Sequence, residues 1–265
     1  MSKPRTRPAC TLFFPLAALL AALAVPLYMF AMLSGTGWPA GLVGVGHGFE
    51  LIFGFALALI AGYTLGPQPA RVLYPLIALW LAARLLRIPF PDHPLALPLA
   101  AAFALLLAWH VVPRFRAARQ WRNKSTGPLI LTLCLLPLCW LLLMLIWHRW
   151  PGLAASIDLN LSRLMHAGVL CLLLLMSFIG GRLIAPAAAI TLEQQGIEPR
   201  ARLQPRLEGA LIILLGLAIV ALLVPILPDS YSYPLAGGAL LATGMVLLVR
   251  NIRWQLWRCG SRPDP

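Results

Sequence analysis

Apolar residues run through this chain in long unbroken blocks, separated by short polar or proline-marked joins. The blocks cover roughly 10–33, 40–64, 72–90, 94–113, 127–148, 159–185, 207–228 and 233–252. Each holds about 20 residues, enough at ~1.5 Å per residue to cross a hydrocarbon core of ~30 Å. No alternation of apolar and polar residues competes with them. In lipid a backbone must satisfy its own polar groups, which leaves helices as the reading of such runs. The pattern predicts an all-α fold: a polytopic membrane helix bundle of about eight transmembrane helices, formed as one integral membrane domain over 1–265. Pro39, Pro69, Pro91, Pro94, Pro151, Pro228 and Pro234 mark the joins. Pro15, Pro26, Pro75, Pro98, Pro137 and Pro186 fall inside spans, where membrane helices tolerate them.

Composition supports the lipid environment. Of 265 residues, 60% are apolar and 11% charged, and mean hydropathy is +0.84. A soluble domain is nearer half apolar and a quarter charged. The net charge of +13 would suggest nucleic acid in a soluble protein. Here the basic residues sit in joins and tails, so they report topology and not a nucleic-acid partner. Lys3, Arg5 and Arg7, then Arg71, the 114–124 join, the 182–206 join and the C-terminal tail together hold 17 of the 21 Lys and Arg. Arg84, Arg87, Arg149 and Arg163 remain for the opposite side. Positive charge stays inside, so both termini are expected to be cytoplasmic in a bacterial inner membrane. The first run, from Cys10 to Leu33, is too long for a signal peptide's apolar region and is read as an uncleaved first helix. Residues 186–206 form the longest expected loop. The cysteines (Cys10, Cys134, Cys139, Cys171, Cys259) are odd in number and show no CxxC, which argues against a disulfide framework.

Ionisable residues at membrane depth are costly, ~2.5–3.5 kcal/mol or more, and call for a reason. His47 and His166 each lie about seven residues below the outer start of their helices, roughly 10 Å in. Two histidines at one level can hold a metal or a haem between helices. A single membrane histidine is as readily a hydrogen bond between helices. Glu50 is three residues from His47 and Arg163 three before His166, so each pair shares a helix face. Glu50 is expected to pair with Arg84 or Arg163. Arg84 alone could instead snorkel to the headgroups. His93, His110 and His148 lie near helix ends and read as ordinary interfacial histidines. Gly41, Gly44, Gly46 and Gly48 serve either close packing or room for a flat macrocycle. Met165 is either packing material or a thioether donor for copper.

One stretch resembles a known family. Gly46-His47-Gly48-Phe49-Glu50-Leu51-Ile52-Phe53-Gly54-Phe55, followed by Ala61-Gly62, is similar to the His-x-His-Glu-x-Leu-Phe-Gly-Phe stretch of the NnrS family. Leu81-Ala82-Ala83-Arg84, Arg122-Asn123 and Ile179-Gly180-Gly181-Arg182-Leu183-Ile184 match further family motifs in order. The resemblance implies a haem- and copper-containing membrane protein of nitric oxide metabolism and nitrosative stress. It maps His47 to the first histidine of the motif and Glu50 to its glutamate. The second histidine is Phe49 here. The family usually continues for about four more helices, so the resemblance implies a short form, or a second membrane chain that supplies the rest. Two other readings stay open: a proton- or solute-linked transporter using Glu50 and Arg84, and an accessory subunit of a membrane complex. No nucleotide loop or Ser-His-Asp spacing assigns a reaction.

Overall fold

The computed structural model describes residues 6–117, 121–154, 160–198, 204–225, 227–255 and 257. Lys3, Arg5, Arg119, Arg200, Arg202, Arg258, Arg262 and Cys259, used in the charge and cysteine readings, lie outside the described residues. Among the described residues, eight long helices follow in order: α1 (Cys10–Leu33), α2 (Val45–Thr64), α3 (Ala70–Arg87), α4 (Ala96–Arg116), α5 (Trp121–Arg149), α6 (Leu161–Gln194), α7 (Pro205–Leu223) and α8 (Asp229–Trp254). Seven of them are long and apolar enough to cross a membrane. The eighth, α3, is 18 residues long and carries Arg71, Arg84 and Arg87.

Several boundaries differ from the sequence reading. Helix α6 continues through Pro186 to Gln194, so the expected 186–206 loop is in part helix. The reason is the Ala187-Ala188-Ala189 run, whose helix propensity carries the chain past the apolar segment. Helix α5 starts before residue 127, at Trp121. A three-residue strand pair was not expected at all: Thr6–Pro8 (β1) runs antiparallel to Pro67–Pro69 (β2). The Ala9 amide donates to the Gly66 carbonyl at 3.0 Å beside it. Arg114 and Gln68 both donate to the Leu65 carbonyl, at 2.5 and 2.7 Å. These side chains satisfy an orphan acceptor at the C-terminal end of α2.

The chain forms two compact units, residues 1–169 and 170–265. In the first, α1 packs on the second half of α2, α3 on α4, and α4 along α5. Phe13, Phe49, Phe53, Leu57, Leu76 and Phe103 are among its fully buried side chains. The outer face of α1 keeps Leu19, Leu23, Phe30 and Leu33 exposed, as a lipid-facing helix should. In the second unit α7 packs along α8. There Arg250 is buried, 3.8 Å from Glu208 and donating to the Ser177 carbonyl at 3.1 Å. Its guanidinium lies 4.5 Å over the Trp254 ring. A methyl group at Gly181 would collide with that guanidinium, which explains one glycine of the Ile-Gly-Gly-Arg motif by space alone. Cys10, Cys134, Cys139 and Cys171 are free thiols.

Candidate functional site

The buried polar residues of the first unit gather where α2 changes its winding. Glu50–Ala56 is a π-helical stretch of seven residues inside α2. Such widened turns are uncommon and concentrate at functional sites. Helix α3 fills the disturbance with two side chains four residues apart on one face. Trp80 Nε1 donates to the Gly54 carbonyl at 2.8 Å and Arg84 Nη1 to the Phe53 carbonyl at 3.1 Å. The π stretch turns two backbone acceptors towards α3, and α3 supplies the donors.

The same turn presents Glu50, which is fully buried. Arg84 Nε lies 2.8 Å from Glu50 Oε2, and Arg87 Nη1 lies 3.7 Å from Glu50 Oε1. The sequence left Arg84 and Arg163 open as partners of Glu50. The ion pair forms with Arg84. Arg87 was read from the sequence as an outer-side topology charge, yet it is buried at 5% exposure. It lies three residues beyond Arg84, and that spacing on one helix face was the signal available for it. Its guanidinium sits 3.7 Å over the Phe49 ring and 5.9 Å from the Trp140 ring. Phe49, which stands where the family motif has a histidine, is thus a cation–π partner.

Glycines make the arrangement possible. A Cβ at Gly54 would lie 2.8 Å from Arg84 Nη1 and 3.0 Å from Glu50 Oε2. At Gly41 it would strike the Arg87 backbone carbonyl, and the Gly41 amide donates to the Ile88 carbonyl at 2.9 Å. Gly41 and Gly46 therefore serve close backbone packing. At Gly48 an added Cβ would meet only Met165 Sδ, at 3.5 Å.

His47 is half-buried one turn before Glu50. Its ring stacks on Tyr28 with centroids 4.3 Å apart and planes at 24°. Its Nδ1 is buried and has no hydrogen-bond partner among the described residues. His166 lies at the start of α6, which Asn160 caps by accepting from the Arg163 amide at 2.9 Å. Met165 against Gly48, and Gly168 against Ile52, set this end of α6 beside the first half of α2. Arg163 is fully buried and His166 exposed. His166 Nδ1 donates to the Ser162 carbonyl at 2.7 Å, a bond that leaves the lone pair on Nε2. His47 and His166 thus lie on adjoining segments. His93 accepts from the Leu95 amide at 3.2 Å in the turn before α4.

A metal or haem is tested by the donors present. No group of three or more His, Cys, Asp and Glu stands together among the described residues. Haem brings four nitrogens of its own and asks the protein for one or two axial donors. An uncommitted His47 nitrogen and a His166 whose Nδ1–H is fixed on a carbonyl have the chemistry of such donors. Both histidines thus have donor chemistry that suits one or two haem positions.

The family profile described as NnrS protein matches residues 10–264. No curated protein and no solved structure matches the chain.

Proposed function

The chain belongs to the NnrS family, and from that premise we propose that it is a haem-binding protein of the cytoplasmic membrane acting in nitric oxide metabolism or the nitrosative stress response. The observation that carries the reading is His47, a ring braced by Tyr28 whose buried Nδ1 lacks a hydrogen bond. A buried polar atom left unpaired in a native fold calls for an explanation, and a bound ligand or ion is one that suits an imidazole nitrogen. His47 is the proposed axial donor. His166 is the proposed second donor, or else flanks a coordination position left open. Bound haem would supply an iron centre able to take a diatomic gas. Glu50, Arg84 and Arg163 would fix the charge around it: Glu50 and Arg84 hold each other, and buried Arg163 sits on the turn before His166. The apolar walls, Phe49, Phe53 and Trp140, keep water from that region.

Copper is the second reading. It is favoured by one observation, the thioether of Met165 against Gly48, the residue that follows His47 in the chain. The test separates the two. The full chain is purified from cells supplied with haem and copper, and its visible spectrum and copper content are measured. A Soret band supports haem. Stoichiometric copper without a Soret band supports the second reading. Neither would reject both.

A further inference from the structure

One carboxylate faces two guanidinium groups inside the first unit. Glu50 is the only described acid in ion-pair reach of Arg84 or Arg87. Arg84 is 4% and Arg87 5% exposed, so water does little to compensate them. Arginine keeps its charge in proteins, and the cluster therefore holds one positive charge in excess at membrane depth, where charge is costly. Neutral groups offset part of this. The rings of Phe49, Trp80 and Trp140 face the guanidiniums at 3.7–5.9 Å, and the Phe53 and Gly41 carbonyls accept one donor each. None of them brings a negative charge. Arg84 Nε and Nη2, Arg87 Nε and both Glu50 oxygens are buried with no hydrogen-bond partner among the described residues; Arg84 Nε faces Glu50 Oε2 at 2.8 Å, which leaves Arg84 Nη2 and Arg87 Nε as the donors not aimed at the acid.

We propose that Arg84 and Arg87 hold a monovalent planar oxyanion, a carboxylate or an ion of nitrate shape, that balances the charge Glu50 leaves over. The guanidinium fork matches two oxygens held in a plane. A single excess charge favours a monovalent ion over a divalent one. The anion has two sources with the same chemistry: a free small ion, or the carboxylate arm of a larger bound molecule such as haem. The charge count itself does not rest on haem.

The experiment uses the full chain in detergent, in a buffer whose only anion is a bulky sulfonate. Formate is titrated while the thermal unfolding midpoint is read, and native mass spectra are taken of the same samples. If the ion is free, formate raises the midpoint of the wild type to a plateau, and Arg87→Gln needs at least tenfold more formate. If the ion is the arm of a bound molecule, formate has no effect, the wild type carries an extra mass, and Arg87→Gln lacks it. Should Arg87→Gln not fold, Arg87→Lys keeps the charge but not the fork, and must show the same tenfold weakening or loss of mass. The proposal is overturned if the wild type neither responds nor carries a mass the variant lacks, or if the variant matches the wild type. A Soret band recorded alongside reports on haem separately.

Discussion

At the scale of residues, the first unit depends on one buried acid and the two bases that meet it. Removing one partner of a buried ion pair leaves the other uncompensated, which costs ~3–5 kcal/mol in proteins where it has been measured. Glu50→Gln would leave both Arg84 and Arg87 without an acid. We expect it to lower stability by roughly 3 kcal/mol, read from unfolding in detergent. Arg87→Gln leaves the Glu50–Arg84 pair intact and should cost clearly less. Equal losses would mean that Arg87, not Arg84, is the main partner. That Glu50 pairs with an arginine was legible in the sequence, because an acid at that depth requires a cation within reach; which of Arg84 and Arg163 it meets was not. The burial of Arg87 was not. An arginine near a helix end reads as an interfacial charge unless the backbone opposite it, here Gly41, is known to come close.

At the scale of elements, the π stretch Glu50–Ala56 controls the site. It widens α2 so that Glu50 meets α3, and it turns the Phe53 and Gly54 carbonyls to Arg84 and Trp80. Gly54 leaves the space the ion pair occupies. Gly54→Ala would place a methyl group 2.8 Å from Arg84 Nη1 and from Leu20 Cδ2, so it should destabilise by ~1–3 kcal/mol. Circular dichroism melts of the purified variant check this, and an unchanged melt would show that the pair relaxes freely. The helices themselves were legible because lipid allows few other conformations to apolar runs. The change of winding was not, since a π turn keeps the same apolar composition as the α turns around it. The extension of α6 to Gln194 was also hidden, because its last turns are written in alanine and polar residues and not in the apolar code of a span.

At the scale of the whole chain, the distribution of Lys and Arg sets the orientation. Basic residues gather at the N-terminus, in the 114–124 and 182–206 segments and at the C-terminus. We expect both termini on the cytoplasmic side. Alkaline phosphatase fused after Pro265 should then be inactive, and fused after His93 active; the reverse pattern would overturn the orientation. This orientation puts His47 and His166 in the outer part of the bilayer, with Glu50 about one turn deeper. Family membership, the uncommitted nitrogen of His47 and the buried charges beside it all bear on one claim, that His47 ligates haem. The most direct test is the visible spectrum of the wild type beside His47→Ala, prepared identically, with His110→Ala as the control. We expect a Soret band in the wild type and in His110→Ala, and its loss or large shift in His47→Ala. A Soret band of the same position and strength in all three would contradict it.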